Sequence, residues 1–239
     1  MSKETKLHVE LIGHTEDAEK IVAAAIRQCY SPSGANELKE EITPEKREKL
    51  IRQVVSSDHT STIEHATFTF YIEGVSRVLT HELVRHRIAS YSHQSQRYVS
   101  AEDFHYIIPP TIKANKKALK IYNRAILEDQ KNYNELLKLD IPKEDARFLI
   151  PNGIETKIVV TMNARSLFNF LRRRMCNRAQ WEIRLLAYKM HSLLMKVAPN
   201  IFRYAGPSCQ TEKICWEGKL NCGLPATKKD IEVRSHVAE

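Results

Sequence analysis

The placement of glycine is the feature that most restricts the folds and ligand sites open to this chain. Its 239 residues include only seven glycines, and no two of them lie within two positions of each other. A G-x-G-x-x-G turn, which brings the backbone against a dinucleotide pyrophosphate, is therefore absent. Gly218 and Gly223 have the spacing of a phosphate-binding loop, but Leu224 stands where that loop requires lysine. Any phosphate group must consequently be held by side chains.

The charge balance favours anionic ligands. The chain has 37 basic and 29 acidic residues, a net charge of +8, which favours nucleic acid or small phosphorylated molecules as ligands. Apolar residues make up 42% of the chain, and no run approaches the roughly 18 apolar residues of a membrane span. The polar N-terminal residues do not resemble a signal peptide, and five cysteines suit a reducing compartment. We therefore expect a cytoplasmic protein without a membrane partner.

Apolar periodicity predicts few strands, separated by helices. The clearest strand covers 66–72, where Phe68, Phe70 and Ile72 share one face; further strands are predicted at 7–12 and 156–161. Helices are predicted over 16–30, 44–55, 76–85, 109–139, 142–151, 166–174 and 179–197, and the polar segment 90–100 is expected to be irregular. This pattern predicts an α/β (α+β-like), helix-rich single domain with a small sheet over 1–225, followed by a loose charged tail over 226–239.

Arginine is concentrated in one part of the chain. Six of the 17 arginines fall between positions 165 and 184, with no lysine among them. The planar guanidinium group suits bidentate binding of phosphate or of a carbonyl-bearing ring. Arg174 follows Leu167, Phe170 and Leu171 at helical spacing and so extends an apolar stripe. An arginine in that position needs an anionic partner, either a buried carboxylate in a structural ion pair or a bound ligand.

A second basic segment begins at Arg85. It reads Arg85-His86-Arg87-Ile88-Ala89-Ser90-Tyr91-Ser92-His93-Gln94-Ser95-Gln96-Arg97-Tyr98. Its first cations follow a predicted helix, where the helix dipole alone would favour them. Ser95 and Arg97 add hydrogen-bond donors a few residues later, and Glu82 precedes Arg85 by three residues, on the same side of the predicted helix. We interpret the segment as a pocket for an anionic ligand, with a purely structural role as the alternative.

The sequence assigns no metal-binding residues. It contains no H-E-x-x-H motif, and nothing in the local sequence places a base beside Ser95 to make it a nucleophile. Cys209, Cys215 and Cys222 are separated by five and six residues rather than paired as C-x-x-C. A zinc site built on these cysteines would need a fourth ligand, such as Cys29, Cys176 or a histidine.

Two blocks of the chain resemble a known family. The motif Arg85-His86-Arg87-x-x-Ser90-x-x-x-x-Ser95-x-Arg97 is similar to the signature of the flavin-dependent thymidylate synthases. The segments Asn163-Ala164-Arg165-Ser166-Leu167-Phe168-Asn169-Phe170 and Ala179-Gln180-Trp181-Glu182-Ile183 resemble a second block of that family. The resemblance extends from about Asp58 to Ile183. The family commonly has asparagine where this chain has Ser92, which leaves the role of position 92 open.

The resemblance implies a homotetramer of α/β subunits whose active sites form between subunits, each holding FAD and deoxyuridine monophosphate (dUMP). The implied reaction is the reductive methylation of dUMP to thymidylate (dTMP), with methylenetetrahydrofolate as carbon donor and NADPH as the reductant of the flavin. It needs no cysteine nucleophile. Two alternative functions are a nucleic-acid-binding protein, suggested by the net charge, and a phosphate-ester hydrolase, for which paired carboxylates or metal spacing are missing.

The resemblance also implies roles for individual residues. The expected FAD contacts are His59, Ser61, Arg85, His86, Arg87, His93, Asn163, Arg165 and Asn169. Of these, Ser61, with His59 nearby, resembles the contact lent by an adjacent subunit. The expected nucleotide contacts are Glu82, Leu83, Val84, Arg85, His93, Gln94, Ser95, Gln96, Arg97, Arg147 and Arg174. Of these, Arg174 is expected to be catalytic, because it resembles the residue that polarises the uracil ring.

Overall fold

A small antiparallel sheet of four strands is the main β structure of the chain. The computed structural model describes residues 4–32, 34 and 42–224, and the backbone of 232–233. The sheet has the order β1-β2-β4-β3 and consists of β1 (His8–His14), β2 (Thr67–Ser76), β3 (Ser90–His93) and β4 (Glu155–Asn163). Two short strands, β5 (Ile214–Cys215) and β6 (Glu232–Val233), pair in parallel.

Helices supply most of the remaining secondary structure. They are α1 (Ala18–Tyr30), α2 (Pro44–Ser56), α3 (Arg77–Leu83), α4 (Pro110–Ala114), α5 (Lys116–Lys138), α6 (Lys143–Ala146), α7 (Ala164–Arg174), α8 (Trp181–Val197), α9 (Pro199–Phe202) and α10 (Ser208–Thr211). Short 3₁₀ helices cover Thr60–His65, Arg147–Leu149 and Gly218–Leu220. This confirms the predicted helix-rich α/β (α+β-like) class with a small sheet. No helix in the described part of the chain is both long and apolar enough to cross a membrane.

Strand β2 forms as its alternating sequence predicts. Phe68, Phe70 and Ile72 are fully buried along one face. Near its end, Gly74 has a φ of 65°, a left-handed conformation, and its N–H donates to Glu155 Oε1 at 3.0 Å. A Cβ at this position would lie 2.1 Å from the carbonyl oxygen of Lys6. Only glycine therefore fits here without displacing backbone.

The chain forms two compact units. Unit 1 comprises Met1–Val9, Tyr71–Arg85 and Tyr91–Val160; unit 2 comprises Glu10–Phe70, His86–Ser90 and Thr161–Glu239. Unit 1 contains a buried cluster of Phe104, Tyr106, Ile108, Ile126 and Ile154. In unit 2, the rings of Phe68 and Phe202 pack edge to face with centroids 5.1 Å apart. The single domain expected over 1–225 stays a prediction, and of the expected tail only the backbone of 232–233 lies within the described residues.

Three local predictions were wrong. The long helix expected over 109–139 is interrupted at Asn115, whose Oδ1 accepts from the backbone N–H groups of Lys117 and Ala118 and so begins α5 as a separate helix. The helix expected over 142–151 contains only α6 and one 3₁₀ turn. The segment expected to be irregular over 90–100 begins with strand β3, because backbone pairing with β4, including Gln94 N–H to Lys157 O at 3.0 Å, outweighs its polar composition.

Candidate active site

The predicted ligand contacts divide between the two units. In unit 1 lie Glu82, Leu83, Val84, Arg85, His93, Gln94, Ser95, Gln96, Arg97 and Arg147. In unit 2 lie His59, Ser61, His86, Arg87, Asn163, Arg165, Asn169 and Arg174. Most of the expected nucleotide contacts therefore belong to unit 1, whereas most of the expected flavin contacts and Arg174 belong to unit 2.

A polar cavity in unit 1, called the arginine cavity below, is lined by Arg77 and Arg147. It has a volume of about 280 Å³, and its lining includes Arg77, His81, Gln96, Arg147 and Asn152. Burial and the nearby charge of Arg147 both lower the pKa of Arg77. Two cations facing one cavity repel each other, and an anion bound there would relieve that repulsion. The cavity therefore suits a phosphate group.

His93, at the end of β3, is held in its neutral form. Burial, followed by the charges of Arg77 and His81, lowers the pKa of His93 to about 4. Arg77 Nη1 lies 3.0 Å from Nδ1 and 3.1 Å from Nε2, and Nε2 lies 3.0 Å from Thr156 Oγ1. Because a guanidinium group only donates, we assign Nδ1 as the acceptor from Arg77 and place the proton on Nε2, facing Thr156. His93 is thus a neutral group whose two ring nitrogens have partners within the protein, and its expected contact with a ligand stays a prediction.

The segment after β3 lines a second cavity of unit 1. This cavity of about 230 Å³ is bordered by Gln94, Ser95 and Gln96, and Gln96 also borders the arginine cavity. Ser95 Oγ accepts from the backbone N–H of Arg97 at 3.2 Å, which leaves its hydroxyl proton available as a donor. Arg97 itself is paired with Glu144 at 2.8 Å on the surface. The structure brings the predicted glutamines and Ser95 together, with Arg97 in an ion pair beside them.

The end of helix α3 differs from the prediction. The helix ends at Leu83, two residues before the expected end at Arg85, and the hydroxyl of the half-buried Tyr91 donates to the Leu83 carbonyl at 2.8 Å. Leu83 is buried in the core, so its side chain packs there rather than against a ligand. Arg85 lies beyond the helix and is exposed. The helix expected to continue to Arg85 is therefore wrong, whereas the orientation of Arg85 by Glu82 stays a prediction.

In unit 2, Arg174 is paired with His86. Arg174 ends α7 and is half-buried, below the buried residues Leu167 and Phe170, as the apolar stripe predicts. Its Nε donates to His86 Nε2 at 3.1 Å, and the His86 ring packs edge to face on Phe170 with centroids 5.1 Å apart. Burial, followed by the charges of Arg174 and Arg173, lowers the pKa of His86 to about 4. A neutral imidazole thus fixes one edge of the Arg174 guanidinium.

The expected flavin contacts at the start of α7 have structural partners of their own. Asn163 is the N-cap of the helix, and its Oδ1 accepts from the Ser166 N–H at 2.8 Å. Arg165 forms an exposed ion pair with Glu64 of the neighbouring 3₁₀ helix. Asn169 follows Arg165 by one helical turn and is exposed. The amide nitrogen of Asn163 and the polar side chains on the exposed face of α7 are the groups of this block that remain available to a ligand.

The remaining expected flavin contacts of unit 2 are on its surface. His59 and Ser61 are exposed at the start of the 3₁₀ helix Thr60–His65, and His59 Nδ1 lies 3.4 Å from the Tyr30 hydroxyl. Arg87 is exposed and has no side-chain hydrogen bond or ion pair to any residue that the structure describes. An exposed arginine without a protein partner keeps its donors for an anionic ligand.

Arg77 is the residue that the sequence reasoning missed. It supports His93 and lines the arginine cavity, yet it lies outside the signature that begins at Arg85. One signal in the sequence points to it. Arg77 occupies the first position of α3, directly after the N-cap Ser76, where the helix dipole disfavours a cation. An arginine in that position therefore indicates a role other than stabilising the helix.

Comparisons with known proteins agree on one family. Residues 10–200 match the family model described as "Thymidylate synthase complementing protein". The flavin-dependent thymidylate synthase of Clostridium tetani (strain Massachusetts / E88) is 48% identical over 239 residues, covering 93% of this chain and 96% of the relative. That of Geobacter sulfurreducens is 46% identical over 227 residues, covering 94% and 97%. The UMP/dUMP methylase PolB from Streptomyces cacaoi, solved with 5-Br dUMP, shares the fold with a TM-score of 0.75 and 23% identity, over 85% of this chain and 96% of that one.

Proposed function

Because the chain belongs to the flavin-dependent thymidylate synthase family, we propose that it is an FAD-dependent enzyme that methylates dUMP to dTMP. The observation that carries the proposal is the 48% identity to the Clostridium tetani relative, which extends over 93% of this chain. The carbon donor in the proposal is methylenetetrahydrofolate, and the reductant is NADPH.

Arg77 and Arg147 would hold the nucleotide phosphate in the arginine cavity of unit 1. Both line it, and burial, followed by the charge of Arg147, lowers the pKa of Arg77. A bound dianion would offset the repulsion between the two arginines. The guanidinium groups can donate in pairs to phosphate oxygens. Phosphate binding by side chains also agrees with the absence of glycine-rich phosphate loops.

The glutamines and Ser95 would orient the sugar and base. Gln94, Ser95 and Gln96 border the adjoining cavity with two amides and a hydroxyl, and each can donate and accept. These groups add no charge, so they can distinguish oxygen from N–H positions of a neutral ring without competing for the phosphate. Ser95 acts in this proposal as a hydrogen-bond donor, not as a nucleophile.

Arg174 would polarise the uracil ring during the reaction. His86 holds its Nε at 3.1 Å, which restricts rotation of the guanidinium plane. A planar donor of fixed orientation can stabilise negative charge on a ring carbonyl as the ring is activated. Because the pKa of His86 is lowered to about 4, the imidazole accepts from Arg174 throughout the neutral pH range without adding a second positive charge.

The residues of unit 2 fit the chemistry of FAD. FAD presents a pyrophosphate and a ring system rich in hydrogen-bonding atoms; Arg87 and Arg165 offer exposed guanidinium groups, and Ser61 and Asn169 offer exposed neutral polar groups. Asn163 adds its amide nitrogen. When bound, the flavin would supply the redox chemistry that links NADPH to the nucleotide. These side chains would bind and orient it.

The proposal includes a reaction without a cysteine nucleophile. All five cysteines are free, and none of them borders either of the two cavities of unit 1 that the proposal assigns to the nucleotide. These linings support a reaction that makes no cysteine adduct. We further propose a homotetramer with active sites between subunits, and a cytoplasmic location. Light scattering tests the tetramer by measuring the mass of the assembly.

Two measurements on purified protein test the proposed function. Absorbance after incubation with FAD and gel filtration should show a retained flavin band, and chromatography should show dTMP formed from dUMP when methylenetetrahydrofolate and NADPH are present. Arg174→Lys keeps the charge but loses the planar pair of donors, so we expect turnover to fall more than about tenfold with flavin retained. Salt-sensitive binding of DNA or RNA by a protein that takes up no flavin would instead favour the nucleic-acid alternative.

A further inference from the structure

Four of the five cysteines line one small cavity of unit 2. The cavity has a volume of about 90 Å³, and Cys176, Cys209, Cys215 and Cys222 all border it. They come from two separate parts of the chain. Cys176 follows the end of α7, whereas the other three belong to the segment 208–224. The fifth cysteine, Cys29, is exposed in α1 and lies outside this cavity.

The segment 208–224 has little hydrophobic burial to hold it in place. Its regular elements are α10, the two-residue strand β5 and one 3₁₀ turn. Its only buried residue is Gly218, which has no side chain. Irregular segments that bury so little apolar surface are commonly stabilised by a disulfide or a metal ion. All five cysteines are free, so no disulfide supplies the cross-link.

Polar groups around the cavity are oriented toward sulfur. The backbone N–H of Arg178 donates to Cys176 Sγ at 3.5 Å, and Asn177 Nδ2 donates to Cys222 Sγ at 3.7 Å. Donors of this kind support thiolate ligands in metal sites by compensating their negative charge. Arg178 and Glu217 also border the cavity, and their side chains lie 4.0 Å apart. Burial raises the pKa of Cys176 and Cys209, so both are neutral thiols in the metal-free protein, and these donors would compensate charge only once a metal ion has displaced the protons.

We propose that Cys176, Cys209, Cys215 and Cys222 bind one Zn²⁺ ion, which fastens the segment 208–224 to the end of α7. Four thiolate ligands form a closed tetrahedral site without an open position, so the ion is structural rather than catalytic. On binding, four S–H protons leave to solvent and four Zn–S bonds form, with no change of oxidation state. The site carries a net charge of −2, beside the cation of Arg178. The small cavity suits a single ion better than a multi-iron cluster.

Binding requires the four thiols to converge. As the side chains stand, no group of three or more histidine, cysteine, aspartate or glutamate residues in the described part of the chain is arranged to hold a metal ion. A cysteine side chain turns about a single torsion, so exchange between staggered rotamers redirects each sulfur without moving the backbone. The separations of five and six residues between Cys209, Cys215 and Cys222 are wider than in common zinc motifs, so the fold rather than a sequence motif brings these residues together.

The test is the metal content of the full-length protein. After purification and exposure to Zn²⁺, then removal of weakly bound ions, elemental analysis should give about one zinc per chain. Co²⁺ should replace it and give the charge-transfer and visible bands of tetrahedral thiolate coordination. Each of Cys176→Ser, Cys209→Ser, Cys215→Ser and Cys222→Ser should weaken Zn²⁺ affinity by more than about 100-fold, because loss of an outer partner alone costs 10- to 100-fold. The matched control, Cys29→Ser, should keep wild-type affinity.

A second readout does not depend on variants that fold poorly. A strong chelator applied to the wild-type protein should speed tryptic cleavage after Lys213 and Lys219, which both lie in the segment, and added Zn²⁺ should reverse the effect. The proposal is overturned if the wild-type protein binds neither Zn²⁺ nor Co²⁺ while all its thiols react with a thiol reagent. It is also overturned if the bound element is iron with acid-labile sulfide, or if Cys29→Ser loses metal as the other variants do.

Discussion

Replacing Arg77 by methionine should weaken dUMP binding while leaving the flavin in place. The substitution keeps an apolar side chain of similar length but removes the positive charge that lines the arginine cavity together with Arg147. A charge-assisted hydrogen bond contributes about 1.5–3 kcal/mol, and about 1.4 kcal/mol corresponds to tenfold in affinity. Loss of one such contact alone therefore predicts an increase in KM of about 10- to 100-fold.

A compensating effect places the expected value at the lower end of that range. In the wild-type protein burial, followed by the charge of Arg147, lowers the pKa of Arg77, so repulsion between the two cations is present before the nucleotide binds. Removing Arg77 removes this repulsion, and Arg147 remains to bind the phosphate. We therefore expect KM for dUMP to rise about tenfold, with kcat changed much less because the phosphate contact is made equally in the ground and transition states.

The assay compares initial rates of dTMP formation over a range of dUMP concentrations for Arg77→Met and wild type. Arg52→Met, which replaces an exposed arginine of α2, is the control for the general loss of one positive charge. Competition by deoxyuridine, which lacks the phosphate, should be nearly unaffected by Arg77→Met. An unchanged KM for dUMP, or an equal loss of affinity for deoxyuridine, would refute the assignment of Arg77 to the phosphate.

Three further predictions concern stability and cofactor binding. Gly74→Ala forces a left-handed φ on alanine and drives its Cβ against the Lys6 carbonyl, so the free energy of unfolding should fall by more than about 2 kcal/mol; an unchanged denaturation midpoint would contradict this. Asn163→Ala should cost about 1 kcal/mol through loss of the N-cap, whereas Asn163→Asp should keep stability but bind FAD more weakly because the amide donor is gone; wild-type FAD affinity in the aspartate variant would show that Asn163 is only a cap. The pKa values of His86 and His93 are lowered to about 4, so between about pH 6.5 and pH 4 the unfolded chain binds more protons and stability should fall as pH falls. His93→Gln should flatten that dependence in chemical denaturation, and an unchanged slope would count against a neutral, buried His93.

The sequence predicted those features that depend on local pattern. The alternation of Phe68, Phe70 and Ile72 predicted β2, and their complete burial confirms the face that was assigned. The helical spacing of Leu167, Phe170 and Arg174 predicted an arginine drawn toward the core, and Arg174 is half-buried at the end of α7. The family resemblance rested on long motifs whose residues are specific, and the comparisons confirm it.

What the sequence did not predict depends on contacts between distant residues. Strand β3 is polar and short, and its pairing with β4 decides its conformation. Helix α3 ends at Leu83 because Tyr91, eight residues later, satisfies the carbonyl there. Tertiary packing also brings Arg77 to His93, and Cys176 to the same cavity as Cys215. Local periodicity in the sequence cannot predict such contacts.

The central claim, that this chain is a flavin-dependent thymidylate synthase, is tested most directly by tracing the transferred carbon. The purified protein is incubated with dUMP, NADPH and methylenetetrahydrofolate labelled in its methylene carbon, with and without FAD, and the nucleotide products are analysed by mass spectrometry. We expect label in the methyl group of dTMP only when FAD is bound. Labelled dTMP formed equally well by flavin-free protein, or flavin-loaded protein that forms none, would contradict it.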